Sequence, residues 1–216
     1  MEGAVVLDAY SKGAPTAVRE PVSGQTRPRI LVIGVSTGGP TALAEVLAGL
    51  PGRFPLPVLV VQHMPPVFTR LLAERLDTLC PLRVREAAPG DRVEAGTILI
   101  APGDFHLKVV AGGIPPHICL DQSPPQNQCR PAVDVLFESV AGVYGRAAIA
   151  AVLTGMGTDG LLGARLLKGK GATVIAQDEA SSVVWGMPGA VVREGLADRV
   201  VPLAGMAREL LRLTGG

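Results

Sequence analysis

The chain has 216 residues, 48% of them hydrophobic and 18% charged, which is enough to build a packed core and too apolar for a disordered segment. Its formal net charge is +1 and its aromatic content 3%, which excludes a strongly basic nucleic-acid surface and a base-stacking platform. No apolar run approaches the roughly 20 residues that cross a bilayer, no signal-peptide pattern opens the chain, and the three cysteines form no CxxC pair. These features predict a soluble cytoplasmic protein with free thiols, and the spacing of the three histidines from the cysteines suggests no zinc site.

Residues 1–28 mix Gly, Pro, Ser and charge without periodicity and read as a linker or N-terminal arm, ahead of a domain over 29–214. Ile30–Val35 is continuously apolar, as a strand covered on both faces would be. Pro40–Leu50 then carries Leu43, Val46, Leu47 and Leu50 at helical spacing. Val58–Gln62 predicts a second strand, and "PPVFTRLLAERLDTL" a helix with proline near its start. Between about 80 and 126, "LRVREA", "TILIA", "HLKVV" and "HICL" are short strand candidates separated by Pro and Gly turns, which reads as hairpins, some antiparallel. Alternation then resumes: helix Pro131–Val143, strand Ala147–Leu153, helix Leu161–Lys168, strand Thr173–Ala176, and short helices near 188–194 and 205–213. The pattern predicts an α/β fold with a mostly parallel, doubly wound sheet and a hairpin-containing segment. Ligands of such sheets bind at the carboxyl ends of the strands, a rim that would carry Ser36, Gln62 and His63, Thr158 and Asp159, and Gln177 and Asp178.

Two glycine-rich turns on that rim compete for a function. Gly155-Met156-Gly157-Thr158-Asp159-Gly160 matches GxGxxG after a strand, and Asp178 lies near the end of the next strand, as in a dinucleotide-binding fingerprint. Against it, the Asp159 carboxylate would repel a pyrophosphate, and only one further strand is visible after the turn. The turn at 34–39, "GVSTGG", lacks the P-loop pattern but presents Ser36 between a strand and a helix N-terminus, where a hydroxyl is exposed and negative charge is stabilised. A lone serine there would serve as well as a helix cap. His63, however, ends the next strand and could act as base, and Asp159 could orient its imidazole. Asp178, Asp104 and Asp134 compete for the acid, and His106 for the base, although His106 starts a strand and reads as structural, and His117 lies in a proline-rich stretch.

The segments "VIGVSTGGPTAL", "VVQHMPPVFT", "IAPGDFHL", "RPAVDVLFESVA", "VLTGMGTDGLLGA" and "SSVVWGMPGAV", in that order over about 29–210, together resemble the catalytic domain of the CheB family, the protein-glutamate methylesterases of bacterial chemotaxis. The resemblance implies a three-layer α/β/α sandwich and a serine hydrolase acting on γ-glutamyl methyl esters of methyl-accepting chemotaxis receptors, releasing methanol and also deamidating receptor glutamines. It implies Ser36 as nucleophile, His63 as base and Asp159 as acid, with the Met156 amide in the oxyanion hole, Thr37 beside the nucleophile, and no cofactor or metal. A substrate groove would run between "HMPPVFT" and "SSVVWGMPG", with Phe68, Trp185 and Met187 as contacts, although ordinary core packing would account for all three equally well. Family members commonly carry an N-terminal receiver domain, for which residues 1–28 are too short, so either a catalytic fragment or a stand-alone enzyme is expected. The receptor cytoplasmic domains are the expected partners, with no nucleic acid and no membrane insertion. Three rival readings stay open: an NAD(P) oxidoreductase, a receptor-binding scaffold without activity, and a general esterase for small substrates.

Overall fold

The computed structural model describes residues 27–215, so the arm expected over 1–28 lies outside the described residues except at Arg27 and Pro28. Six consecutive buried residues form β1 (Ile30–Val35), and β2 (Val58–Gln62) and β7 (Ala148–Val152) flank it as parallel neighbours. These are the continuous apolar runs of the sequence, and their parity divides the core. Ile30 and Val32 point into one cluster with Phe137 and Leu167, whereas Leu31, Ile33 and Val35 point into the other with Leu43, Leu47, Leu76 and Leu210. Each such fully buried side chain contributes roughly 1.5–3 kcal/mol of transfer free energy.

Three helices cover each face. On the Leu31 side lie α1 (Gly39–Ala48), α2 (Phe68–Leu79) and α6 (Leu203–Thr214); on the Ile30 side lie α3 (Val133–Val143), α4 (Leu161–Gly169) and α5 (Met187–Arg193). The sheet between them is completed by β3 (Arg83–Glu86), β4 (Thr97–Ile100), β8 (Thr173–Gln177) and β9 (Arg199–Val201). Its order is β3-β4-β2-β1-β7-β8-β9, and every pairing is parallel. A separate antiparallel pair, β5 (His106–Val110) and β6 (His117–Asp121), adds Leu107, Val109 and Ile118 to the core beside α3. The result is the three-layer α/β/α sandwich with a parallel sheet and one hairpin that the sequence led us to expect. Among the described residues no helix is long and apolar enough to cross a membrane.

Three local expectations are corrected. The β3 and β4 segments are not hairpins but parallel strands added to the β2 edge of the main sheet. Two strands, not one, follow the Gly155–Gly160 turn, because the three-residue β9 pairs with β8. The prolines Pro65 and Pro66 precede α2 rather than opening it: Val67 intervenes at φ 72°, and the helix begins at Phe68. A Cβ on Gly103 would sit 2.3 Å from the Pro66 nitrogen, so the absent side chain lets the "PPV" loop lie directly on the "PGD" turn.

Candidate active site

The carboxyl ends of β1, β2 and β7 converge on one rim, as a parallel sheet requires. The backbone continues the strand ladder beyond β1, with His63 N–H donating to Val35 O at 3.2 Å and Ser36 N–H donating to Thr154 O at 3.0 Å. Ser36 therefore lies between the end of β2 on one side and the turn after β7 on the other. Gln62, buried beneath, donates through Nε2 to the carbonyls of Ser36 at 3.0 Å and His63 at 3.1 Å, tying the two strand ends together. Its Oε1 is buried without a partner and occupies the space that a Cβ on Gly39 would need, at 1.8 Å. Gly38, at φ 83°, turns the chain into α1, and a side chain there would also meet Val183 at 2.8 Å.

The turn after β7 packs against the serine. A Cβ on Gly155 would lie 2.8 Å from Ser36 Cβ and 2.4 Å from Met187 Sδ. Thr154, fully buried, donates through Oγ1 to Thr37 O at 2.9 Å, while its amide donates to Gln177 Oε1 at 2.8 Å. Gln177 in turn donates to the 181 carbonyl, so the ends of β1, β7 and β8 form one hydrogen-bonded frame. Met156 and Thr158, which follow, are exposed.

His63 Nε2 meets Asp159 Oδ2 at 2.7 Å, with the imidazole mostly covered and the carboxylate buried. Asp159 also accepts from the backbone amides of Val133 (2.6 Å), Asp134 (3.0 Å) and Gly160 (3.0 Å), and from Asn127 Nδ2 (2.9 Å). The Val133 and Asp134 amides belong to the first turn of α3, whose dipole favours an anion at that end. Two glycines allow this approach: a Cβ on Gly34 would be 2.3 Å, and one on Gly160 2.9 Å, from Val133 Cγ1. Burial works against the Asp159 charge, yet the bonds from His63, Val133, Asp134 and Asn127 hold its pKa below the ordinary carboxylate value. Burial alone would lower the His63 pKa as well, but the bonds to Asp159 and Cys129 outweigh it and push it up to about 9. A second buried carboxylate, Asp134, stands behind the first and shares Asn127 Nδ2 at 2.8 Å; burial and the Asp159 charge raise its pKa.

The structure thus brings Ser36, Thr37, His63 and Asp159 to one rim and joins the last two directly. Among the described residues Ser36 Oγ makes no hydrogen bond to His63. Nε2 faces Asp159, so Nδ1 is the imidazole nitrogen not engaged by that carboxylate. The competitors are engaged elsewhere. His106 is buried, with Nδ1 accepting from Ala132 N–H and Nε2 facing Pro124 O, both at 3.2 Å. Asp104 pairs with Arg130, and Asp178 closes a turn with Ser181. Phe68 is 57% exposed near the rim. Trp185 is half-buried, its Nε1 donating to Gln177 O at 3.1 Å and its ring under the Arg193 guanidinium. Met187 is a correction: it is 0% exposed, its sulfur filling the space against Gly155, so it packs the core and cannot line a groove.

Asn127 and Cys129 were not singled out by the sequence. They lie in the loop before α3, and with His63, Met156 and Asp159 they line a cleft of about 260 Å³. One potential ligand atom each from His63, Cys129 and Asp159 lies within 4.8 Å of the others, a cluster invisible in the spacing of these residues along the chain.

A parallel three-layer sheet with a serine turn, a histidine and a buried aspartate on one rim defines a class, the serine-hydrolase-like α/β proteins. The comparisons with known proteins narrow it. The CheB methylesterase family profile matches residues 31–210, and this chain belongs to that family. It is 53% identical over 203 residues to a Nocardioides protein-glutamate methylesterase/protein-glutamine glutaminase, covering 92% of this chain and 55% of that protein. A Trichodesmium erythraeum protein of the same description is 51% identical over 186 residues, 86% of this chain and 53% of the relative. The chain thus spans about half the length of these curated relatives. The crystal structure of the Thermotoga maritima CheB methylesterase catalytic domain superposes with a TM-score of 0.85 at 47% identity, covering 87% of this chain and 100% of that one.

Proposed function

We propose that residues 29–214 form a catalytic domain that hydrolyses glutamate γ-methyl esters on the cytoplasmic domains of methyl-accepting chemotaxis receptors, and that the same site deamidates receptor glutamines. The carrying observation is the 2.7 Å His63–Asp159 pair beside the Ser36 turn, in a chain of the CheB methylesterase family. The descriptions of the Nocardioides and Trichodesmium relatives, and the full coverage of the Thermotoga catalytic domain, support the same reading. Residues 1–28 are an arm or linker in this scheme, and the enzyme works in the cytoplasm, where its receptor substrates present their glutamates.

In the proposed mechanism Ser36 Oγ attacks the ester carbonyl carbon while His63 Nδ1 takes the hydroxyl proton. Asp159, held by its amide donors, fixes the imidazole and stabilises the imidazolium. The tetrahedral oxyanion is met by the Met156 amide, for which no protein acceptor exists among the described residues. Collapse breaks the bond to the methoxy oxygen, which leaves as methanol with the proton from His63. Water, deprotonated by His63, then attacks the glutamyl-Ser36 ester, releasing the glutamate carboxylate and restoring the serine. With a glutamine substrate the leaving group is ammonia. Phe68, exposed at the start of α2, is the proposed apolar contact for the receptor helix.

The test is methanol release from a methylated receptor cytoplasmic fragment by this chain and by Ser36→Ala. The reading expects release by the first and background release by the second, with both proteins folded by circular dichroism. Equal release by both removes Ser36 as the nucleophile.

A further inference from the structure

We propose that the cleft is also a binding site for a single thiophilic divalent cation of the zinc class, ligated by His63, Cys129 and Asp159, and that its occupancy turns hydrolysis off. The three side chains arrive from separate parts of the fold: the end of β2, the loop before α3 and the turn before α4. Their ligand atoms already lie within 4.8 Å of one another. A tetrahedral zinc with bonds of about 2.0–2.3 Å needs its ligand atoms roughly 3–4 Å apart, so the 2.7 Å His63–Asp159 contact has to open and the wider separations to close, movements of the order of 1 Å.

The donor set selects the ion. One sulfur, one imidazole nitrogen and one carboxylate oxygen suit zinc, whereas magnesium and calcium call for oxygen ligands throughout. Cys129 is free, and its position is fixed by a tight turn in which Cys129 N–H donates to Gln126 O at 2.9 Å and Gln126 N–H to Cys129 O at 3.1 Å. Asp159 is pre-oriented by its amide donors in the way that outer-shell bonds orient metal ligands. The remaining coordination position faces the cleft of about 260 Å³ and takes water. On binding, the Cys129 thiol and the His63 imidazolium each give up a proton to solvent; the sulfur bonds the metal, and the lone pair freed on His63 is donated to the ion and is then unavailable to the Ser36 proton. Metal binding stands on the cluster alone; its inhibitory consequence rests on the esterase reading above.

The test uses chelator-treated, metal-free protein titrated with Co²⁺ and followed by absorption, then with Zn²⁺ and followed by methanol release. The proposal expects a thiolate-to-cobalt charge-transfer band saturating at one equivalent. That band persists in the double variant Cys80→Ser/Cys119→Ser and weakens about tenfold or more in affinity in Cys129→Ser. Zinc inhibits the starting chain reversibly by chelator, and its inhibition midpoint rises about tenfold or more in Cys129→Ser, each protein being compared with its own metal-free rate. A missing sulfur band, or one that survives Cys129→Ser unchanged, overturns the site. A Cys129-dependent band without inhibition overturns the switch. Failure of the esterase reading would abolish methanol release yet leave the cobalt band, so the two failures are distinct.

Discussion

Replacing Asp159 by Asn separates the two roles assigned to this carboxylate. The wild-type His63 sits at about 9, against an ordinary value of 6.5. At 1.36 kcal/mol per unit, that gap corresponds to about 3 kcal/mol of preference for the imidazolium. Because the folded pKa is raised, this stabilisation is fully present below about pH 6.5 and disappears as pH rises through about 9. The Asn variant loses the share that Asp159 contributes while burial and Cys129 remain, so its His63 titrates below the wild-type value. Two consequences oppose each other in kcat/KM. Loss of the correct tautomer costs about 10⁴-fold in the general triad. At pH 7, however, the wild type holds only about 1% of its His63 as free base, while the variant holds a larger share, a gain of at most about 100-fold. The expected loss is therefore about 10⁴-fold above pH 9 and smaller at pH 7, with the ascending midpoint of the profile moved to lower pH. Methanol release across pH gives the profile, and the His63 ring resonances by NMR give the titration independently. An unchanged midpoint with a uniform loss would refute the ion pair as the source of the raised value.

Gly155→Ala puts a methyl group 2.8 Å from Ser36 Cβ and 2.4 Å from Met187 Sδ, and overpacking of this kind costs about 1–3 kcal/mol. Denaturant unfolding should show that loss and kcat should fall because the serine is displaced; unchanged values for both would refute the packing argument. Asn127→Ala removes a donor shared by Asp134 and Asp159, for an expected cost of about 1 kcal/mol because water can reach the loop. Asn127→Asp should cost clearly more, as it sets a third carboxylate against two, and equal costs by denaturant midpoint would remove the electrostatic explanation.

Local signals in the chain determined the continuous buried strands β1, β2 and β7, the amphipathic helices and the placing of Ser36, His63 and Asp159 at strand ends. Apolar runs and glycine turns act over a few residues and are readable there. The motif resemblance then proposed roles for those residues. Tertiary structure decided what depends on pairing across the chain. Four-residue segments such as Arg83–Glu86 and Thr97–Ile100 suit a hairpin or a parallel edge equally well, and only the partner β2 distinguishes them. The three-residue "RVV" of β9, ended by Pro202, carries no strand signal until β8 stands beside it. Met187 shares a motif with Trp185 that suggested a groove wall, yet the missing side chain of Gly155 opens the space its sulfur fills. Asn127 and Cys129 lie in a loop without a local pattern. They reach Asp159 only because Gly34 and Gly160 let α3 settle against β1 and the turn before α4, carrying the loop onto the site. Local periodicity determines which elements form; close packing between distant glycines determines which polar atoms meet.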